Sequence, residues 1–371
     1  MITTRAAIVD EVGGDFRIGE VTLEEPRSNE VIVRLVATGV CHTDLNVQGG
    51  NLDYSFPAVL GHEGAGIVEK VGDAVDRVEI GDRVLLSFTS CGRCAQCRKG
   101  RVALCTYHLP WNLLSGRRAD GSTGISQDGR PVSGHFFGQS SFAERALVSE
   151  RSIVRLPKDT TDEDLIRFAP LGCGIQTGAG AILNVLKPEV GDTVVVAGAG
   201  AVGLAAVMAA ALSPAQQIVV VDRVPSRLDL AVKLGATATI DTSEVDYADA
   251  VSALTDGVGP NIAIDTTGNI GVIDGLLGSL AIGGRGGLIG APKAGSLAHI
   301  DVNRFLPGRS VVGITEGASE PESFIPQLID LYRRGRFPID ALLSNYRFDE
   351  IDAAVAATRS GEAIKPVLVF G

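Results

Sequence analysis

The chain has 371 residues, enough for two domains of ordinary size, and its apolar content of 45% is typical of a globular protein with a substantial core. A net charge of −11 at pH 7 argues against binding to nucleic acid or to an anionic membrane surface. The first residues, Met1 to Ala6, show no signal-peptide pattern, so we expect a soluble, cytoplasmic protein.

The first third of the chain is predicted to be rich in β-strands. Short apolar runs separated by glycine, proline, aspartate or asparagine indicate strands, and no helical period is sustained before Cys91. The runs are Ala6–Val9, Val31–Val36, Gly66–Val71 and Arg83–Leu86, followed later by 142–148 and 153–156. Between them, the polar and glycine-rich stretch 111–134 predicts a long surface lobe.

A different pattern begins near Asp162, where an acidic triplet predicts a helix start, and 173–186 is also predicted to be helical. From Asp192 onward, strands that are apolar along their whole length alternate with helices. This pattern predicts a doubly wound parallel sheet covered on both faces, and therefore an α/β fold class. The predicted strands are 193–197, 217–221, 238–241, 261–265 and 286–290, and the helices are 201–212, 225–234, 248–254 and 270–281.

Two stretches of the sequence are compatible with more than one structure. The apolar run Val194 to Leu212 is long enough for a membrane span, but three glycines interrupt it, so we interpret it as a strand, a turn and a helix. The tail, with predicted helices 321–334 and 349–360 and a last strand 366–370, could extend the parallel sheet or return to the first domain.

A dinucleotide-binding turn is predicted at Gly198-Ala199-Gly200-Ala201-Val202-Gly203, because this motif follows an apolar strand and opens a helix. The glycines allow a tight turn and close approach of a pyrophosphate, which the helix N-terminus attracts. Asp222, at the end of the next strand, can accept from both adenosine ribose hydroxyls and would repel a 2′-phosphate, which favours NAD. Arg223 and Arg227 are close enough in sequence to reach the ribose, and Arg223 keeps NADP as an alternative cofactor.

Four of the six cysteines lie within 91–105, at Cys91, Cys94, Cys97 and Cys105. Four thiolates this close predict a closed tetrahedral zinc site with a structural role. An iron-sulfur cluster is the alternative, but the last gap is longer than in the bacterial ferredoxin pattern and Cys105 is followed by threonine, not proline.

A second metal site is predicted around Gly61-His62-Glu63-Gly64-Ala65-Gly66, where glycines allow the backbone to pack tightly around an imidazole. The remaining cysteines, Cys41 and Cys173, supply two more ligands. Two thiolates and one imidazole are a known ligand set of a catalytic zinc with an open fourth position.

Over essentially its whole length the chain resembles the zinc-dependent medium-chain alcohol dehydrogenases. The signature Gly61-His62-Glu63-x2-Gly66-x5-Gly72-x2-Val75 matches that family in every fixed position, and the cysteine lobe, the glycine-rich turn and Asp222 follow in family order. The resemblance implies a β-rich, GroES-like catalytic domain at 1–175 containing the structural zinc lobe at 91–105. It further implies an NAD-binding Rossmann domain at 176–315 and a return to the catalytic domain at 316–371.

The resemblance also implies roles for individual residues. Cys41, His62 and Cys173 would bind the catalytic zinc, Glu63 would lie just behind and ligate transiently, and Asp44 would orient the imidazole. Thr43 would take the alcohol's proton. Lys365 and His42 stand at positions that bind the cofactor pyrophosphate in the family. At the position of Asn46 the animal members have a histidine that ends the proton relay, and asparagine cannot titrate.

Within the family, Cys41-His42-Thr43-Asp44 and the segment 135–142, His-Phe-Phe-Gly-Gln-Ser-Ser-Phe, resemble the aryl (benzyl) alcohol dehydrogenases. Substrate-pocket residues of relatives are matched here by Phe88, Phe136 and Phe137. Packing in the hydrophobic core is an equally good interpretation of these three side chains. The expected protein is an NAD-dependent enzyme with two zinc ions per chain that interconverts aromatic primary alcohols and aldehydes. As in its family, it would be a homodimer or homotetramer. The alternatives are a thiol-dependent formaldehyde dehydrogenase and a non-catalytic NAD(H)-binding redox sensor.

Overall fold

The computed structural model describes residues 1–371, which fold into two compact units. The first unit comprises 1–173, 320–330 and 339–371, and the second comprises 174–319 and 331–338. The predicted boundaries at 175 and 315 differ from these by two and four residues, and the segment 331–338 packs with the second unit.

The first unit contains two sheets and is predominantly β-structure. Its elements in chain order are β1 (Ile2–Val9), β2 (Arg17–Leu23), β3 (Glu30–Gly39), α1 (His42–Gln48), β4 (Ala58–Val59), β5 (Gly64–Val71), β6 (Arg83–Leu86), β7 (Ile125–Gln127), β8 (Arg130–Val132), β9 (Arg145–Ser149), β10 (Ile153–Arg155) and α2 (Asp162–Phe168). Stretch 111–134, predicted as a surface lobe, contains the β7–β8 hairpin. Its three-residue strands are too short and polar to produce a recognisable alternation.

The second unit contains one parallel sheet. Its elements are α3 (Gly174–Gly180), β11 (Thr193–Ala197), α4 (Ala201–Ala211), β12 (Gln217–Asp222), α5 (Pro225–Lys233), β13 (Ala238–Asp241), α6 (Tyr247–Leu254), β14 (Ile262–Asp265), α7 (Ile270–Ser279), β15 (Arg285–Leu288), α8 (Val302–Phe305) and β16 (Ser310–Gly313). The strand order is β13-β12-β11-β14-β15-β16, with every pair parallel. This is the doubly wound order, and it confirms the predicted fold class.

The tail is formed by α9 (Pro321–Arg333), β17 (Leu343–Arg347), α10 (Ile351–Ser360) and β18 (Lys365–Val369). Strand β18 pairs antiparallel with β3, so the tail completes a sheet of the first unit and does not extend the parallel sheet. That sheet has the order β10-β6-β5-β3-β18-β17, with β9 also paired to β3. The other sheet has the order β4-β1-β2-β7-β8.

The apolar run Val194 to Leu212 forms β11, a glycine turn and α4, as predicted. The predicted helix 173–186 is divided: α3 ends at Gly180 and a π-helical turn occupies 181–186. No single helix is long and apolar enough to cross a membrane, although the bent pair 162–172 and 174–186 meets that test by length and composition alone.

Candidate active site

The first unit brings together the four side chains that the sequence grouped around one metal. The sulfur atoms of Cys41 and Cys173, a ring nitrogen of His62 and a carboxylate oxygen of Glu63 lie within 4.8 Å of one another. Cys41 is the residue before α1, His62 and Glu63 lie in the loop before β5, and Cys173 ends a short helical turn at 169–172. Separate backbone segments therefore deliver the ligands to one point.

Asp44 holds the His62 ring in one orientation. Its carboxylate contacts His62 Nδ1 at 3.0 Å and also accepts the backbone N–H groups of Gly61 and Cys41, each at 3.0 Å. With Nδ1 bonded to the carboxylate, Nε2 is buried without a hydrogen-bond partner. A buried acceptor nitrogen among two sulfur atoms fits a metal ion, and the donor set fits zinc.

Cys41 is suited to the thiolate form that a metal ligand needs. Its hydrogen bond with Cys173 is the largest influence and lowers the pKa of Cys41, opposing burial; Lys365 and His62 lower the pKa further. The Thr43 hydroxyl lies 3.6 Å from Cys41 Sγ, so this alcohol group is adjacent to the metal ligands.

Lys365 and Glu63 form a buried ion pair behind the ligands. Lys365 Nζ is 2.9 Å from both Glu63 carboxylate oxygens and donates to Val40 O at 3.2 Å. Burial alone would lower the pKa of Lys365, but the carboxylate raises it above its ordinary value. A Cβ at Gly39 would overlap this carboxylate, so glycine is required there. The Lys365 ammonium group bonds to Glu63 in this structure, and its binding to the cofactor pyrophosphate stays a prediction.

The predicted pocket residues Phe136 and Phe137 enclose the His62 ring. Phe137 stacks on the imidazole with centroids 4.4 Å apart, and Phe136 meets it edge-on at 5.2 Å. Both rings are almost fully buried, and Phe137 has a φ of +53°, a left-handed conformation that is unfavourable for a bulky residue. These two side chains therefore pack against a metal ligand whether or not they also contact a substrate.

Phe88 is buried too, and it faces a residue to which the sequence assigned no role. The His108 ring lies edge-on to Phe88 with centroids 5.5 Å apart, and burial lowers its pKa to about 4. His108 is therefore neutral at physiological pH, and both of its ring nitrogens are buried without a hydrogen-bond partner. Its sequence context, a histidine following the cysteine lobe, carries no recognisable signal.

The four clustered cysteines converge in a second site whose ligand atoms also lie within 4.8 Å of one another. The Sγ atom of Cys97 is 3.5 Å from that of Cys94 and 3.9 Å from that of Cys91. A single ion with Zn–S bonds of ~2.3 Å places tetrahedral ligands about 3.8 Å apart, whereas an iron-sulfur cluster is itself several atoms across and needs wider spacing. The geometry therefore favours one zinc ion.

Backbone N–H groups surround these sulfur atoms. Cys94 N donates to the Sγ of Cys91, Cys97 N to that of Cys94, and Cys91 N to that of Cys105, at 3.3 to 3.5 Å. Backbone donors, first that of Cys97, lower the pKa of Cys94 to about 5, so its thiolate is available near neutral pH.

In the second unit, the glycine-rich turn has the geometry of a dinucleotide site. Gly198 has a φ of +97°, which favours glycine, and a Cβ on Gly203 would overlap Gly198 O. A Cβ on Gly200 would meet no atom within 4 Å, so this backbone is open to a close ligand. Helix α4 begins at Ala201, followed by Val202, and its N-terminal N–H groups can receive a phosphate.

Asp222 lies at the end of β12 and is bonded to the same turn. Its carboxylate accepts from Ala199 N at 2.6 Å, Arg223 N at 2.7 Å and Val224 N at 3.0 Å. A carboxylate has about four acceptor sites, so acceptor capacity remains beside these three internal bonds, and contact with the ribose hydroxyls stays a prediction.

The remaining predicted residues occupy the surfaces of two helices. His42 is exposed in α1, and Asn46, half-buried in the same helix, accepts from Asn51 at 3.2 Å. Arg223 is exposed before α5 and Arg227 is half-buried within it.

Comparison with known proteins identifies the family. The family model for the alcohol dehydrogenase GroES-like domain matches residues 27–158, and that for zinc-binding dehydrogenases matches 201–334. A geraniol dehydrogenase from Castellaniella defragrans is 41% identical over all of this chain and 98% of its own length. The crystal structure of benzyl alcohol dehydrogenase from Acinetobacter calcoaceticus superimposes with a TM-score of 0.95 at 40% identity, with full coverage of both chains. The chain therefore belongs to the zinc-dependent medium-chain alcohol dehydrogenase family.

Two further similarities bear on the choice of substrate and cofactor. An S-(hydroxymethyl)glutathione dehydrogenase from Synechocystis is 32% identical over 99% of this chain and all of its own. A zinc-binding dehydrogenase structure from Sinorhizobium meliloti, bound to NADP, superimposes with a TM-score of 0.80 at 26% identity, with full coverage of both chains.

Proposed function

We propose that this alcohol dehydrogenase uses NAD to oxidise aromatic primary alcohols to aldehydes. The observation that carries the proposal is the pair of phenylalanine rings, Phe136 and Phe137, packed on the imidazole of His62 within the Cys41–His62–Cys173 site. The two buried rings make the surroundings of the ligands apolar and aromatic, which suits a flat, apolar substrate.

The residues at this site divide the chemistry among them. A zinc ion held by Cys41, His62 and Cys173 would supply Lewis acidity toward the alcohol oxygen, and NAD would accept the hydride. Thr43 Oγ1, adjacent to Cys41, receives the alcohol's proton. Asp44 keeps the His62 ring oriented and its Nδ1 protonated, so that Nε2 remains a donor to the metal. Because Asn46 cannot titrate, the proton leaves Thr43 by another group or directly to solvent.

Two other substrate classes are competing candidates because related proteins carry their names. Geraniol is an unsaturated primary alcohol, and S-(hydroxymethyl)glutathione is a thiol adduct of formaldehyde. A redox sensor without catalysis is disfavoured, because all three predicted zinc ligands are present and converge.

The test is a spectrophotometric screen at 340 nm with benzyl alcohol, geraniol, ethanol, and formaldehyde with and without glutathione. We expect benzyl alcohol to exceed ethanol by more than ~100-fold in kcat/KM, about 2.7 kcal/mol, within reach of burying one aromatic ring. A preference for ethanol, or an absolute requirement for glutathione with formaldehyde, would reject the aromatic assignment. A kcat/KM that is higher for geraniol than for benzyl alcohol would replace the aromatic assignment with an allylic alcohol.

The same assay run with NADP tests the cofactor. We expect NAD to be preferred by at least ~10-fold, about 1.4 kcal/mol, because Asp222 repels a 2′-phosphate. Asp222→Gly should narrow the difference. Equal use of both cofactors by the wild-type protein would mean that Arg223 neutralises the phosphate, and would contradict the role given to Asp222.

We also propose that the chain forms a homo-oligomer through the second unit. Strand β16 is an edge of the parallel sheet and pairs only with β15. Exposed apolar side chains lie on and near it: Leu297, Ile300, Val302, Leu306 and Val312. An open edge with an apolar border favours pairing with a second copy of the chain.

A further inference from the structure

Gln139 is a fully buried side chain whose every hydrogen bond goes to the backbone around the metal site. Its Oε1 accepts from Gly64 N at 3.1 Å, and its Nε2 donates to His62 O and to Ser87 O, each at 2.9 Å. The side-chain amide thus bonds to the backbone of His62 and Gly64, the residues on both sides of Glu63. These hydrogen bonds resemble those that a neighbouring β-strand would make where β5 begins.

The opposite side of this short segment is held as well. Gly39 N, at the end of β3, donates to Glu63 O at 3.0 Å. A Cβ at Gly64 would come within 3.2 Å of Gln139 Oε1 and closer still to Leu86 and Ser141, so a larger residue at this position would displace these neighbours. The backbone of the His62 ligand is therefore fixed between strand β3 and the Gln139 side chain.

From Gln139 a buried path continues to a second ligand. Gln139 bonds to the carbonyl of Ser87, and the Ser87 hydroxyl donates to Gly172 O at 2.7 Å. Gly172 precedes Cys173, and a Cβ there would overlap Leu86 O, so this turn packs directly on the end of β6. Three hydrogen bonds thus connect the His62 backbone, through Gln139 and Ser87, with the backbone beside Cys173.

The segment that carries Gln139 is itself held in an unfavourable conformation. Phe137 and Ser140 both have positive φ, of 53° and 50°. Ser152 Oγ donates to Phe137 O, and Ser140 Oγ accepts from Phe136 N and donates to Val59 O, all at 2.7 to 2.9 Å. Strained backbone that is bonded this fully is retained where its position matters.

We propose that Gln139 is a positioning residue that sets the separation of His62 and Cys173 and so preorganises the catalytic metal site. Its amide fixes the backbone of one ligand directly and that of the other through Ser87. This inference rests on the proposed function, because it assumes that the site holds zinc. Loss of an outer-shell partner typically weakens metal binding by about 10- to 100-fold, and we expect a loss of this size from Gln139.

The experiment measures zinc release to a chromogenic chelator from the purified full-length protein. The variant Cys41→Ser identifies the kinetic phase that belongs to the catalytic site, because that phase disappears in it. Gln139→Met has nearly the same shape as glutamine but neither donates nor accepts as an amide. We expect it to accelerate this phase by about 10- to 100-fold and to shift the visible spectrum of the cobalt-substituted protein.

Gln48→Met is the matched control. Gln48 is also a buried glutamine, whose amide donates to Gly14 O at 2.7 Å and accepts from Arg359 at 2.9 Å, but it bonds to no residue beside a metal ligand. Its zinc release should stay within about twofold of wild type even though a buried polar group is lost. Equal acceleration in both variants would show a general loss of stability and would overturn the proposal.

The remaining outcomes are distinguishable. If the Gln139→Met protein folds and keeps the wild-type rate of zinc release and the wild-type cobalt spectrum, Gln139 has only a structural role and the proposal is overturned. If Gln139→Met fails to fold, Ser87→Ala removes the hydrogen bond to Gly172 O and leaves the Gln139 amide in place. Faster zinc release from Ser87→Ala supports the path, and unchanged release overturns it. A wild-type protein with no phase that Cys41→Ser removes would instead refute the proposed zinc function.

Discussion

At the scale of single residues, Asp44 organises the site more than any of the metal ligands does. One carboxylate bonds to the His62 ring, to the backbone of Gly61 next to it, and to the backbone of Cys41. It thereby sets the tautomer of one ligand and the position of two backbone segments. Because Asp44 also belongs to the first turn of α1, the same helix presents Thr43 beside Cys41.

Thr43 gives the residue-scale prediction. Its hydroxyl can accept the substrate's proton, and valine has nearly the same shape without that group. We expect Thr43→Val to lower kcat by about 10² to 10⁴, the usual contribution of positioned proton transfer, whereas Thr43→Ser keeps most activity. The measurement is kcat in each variant with zinc content verified. Wild-type turnover in Thr43→Val with both zinc ions bound would require a proton route that bypasses this residue.

The sequence identified the residues with metal-binding chemistry and, through the family resemblance, Asp44 as the partner of His62. It did not identify Gln139 or the ion pair between Lys365 and Glu63. Cysteines and a histidine–glutamate pair between glycines are rare enough to be recognised. Gln139 and Lys365 contact the site across 77 and 302 residues of sequence, and neither type signals such a contact on its own. The ion pair with Glu63 became visible only once β18 was known to pair with β3.

At the scale of elements, the cysteine lobe (91–105) is a small substructure of the first unit, and the lobe has few apolar side chains of its own. It contains 3₁₀ turns at 97–99 and 102–104, and backbone N–H groups donate to its sulfur atoms. Of the four thiols, only that of Cys105 belongs to a buried residue. We expect such a segment to depend on a bound zinc ion for order, because it cannot bury enough surface without one.

The element-scale prediction follows from the two separate ligand groups. Cys94→Ser should lose one of two zinc ions per chain and lower the melting temperature by several degrees, because a structural zinc contributes to folding. Cys41→Ser should lose the other ion and nearly all activity with a smaller change in melting temperature. Elemental analysis and thermal unfolding measure both. A fully active and equally stable wild-type protein containing one zinc would contradict the assignment of the lobe.

Element boundaries were predictable where the pattern was long and apolar and were missed where it was short. Strands β11 and β12, each a run of valine and isoleucine, match the prediction to within one residue. Strand β16, Ser-Val-Val-Gly, was missed because one exposed edge strand of four residues has no buried alternation. The break between α3 and the π-helical turn at 181–186 leaves no sequence signal, since 174–182 is buried throughout.

At the scale of the whole molecule, the first unit is assembled from three separate stretches of the chain. Its last strand, β18, carries Lys365 to Glu63, so the metal site is complete only after the final residues have been incorporated. The second unit is nearly continuous in sequence, and its sheet ends in the uncovered strand β16. In the proposed homo-oligomer, its exposed apolar residues would matter for assembly more than for the stability of the single chain.

The prediction at this scale concerns assembly. Val302 at the start of α8 and Leu306 directly after it are 68% and 75% exposed and are close in sequence to β16. A charge placed in an apolar interface must be desolvated without a partner, so Leu306→Glu and Val302→Glu should shift a homo-oligomer toward smaller species. Ile80→Glu is the matched control, since Ile80 is 66% exposed in the first unit. Analytical ultracentrifugation at micromolar concentration measures the result. A monomeric wild-type protein would refute the oligomer, and dissociation by Ile80→Glu alone would place the interface on the first unit.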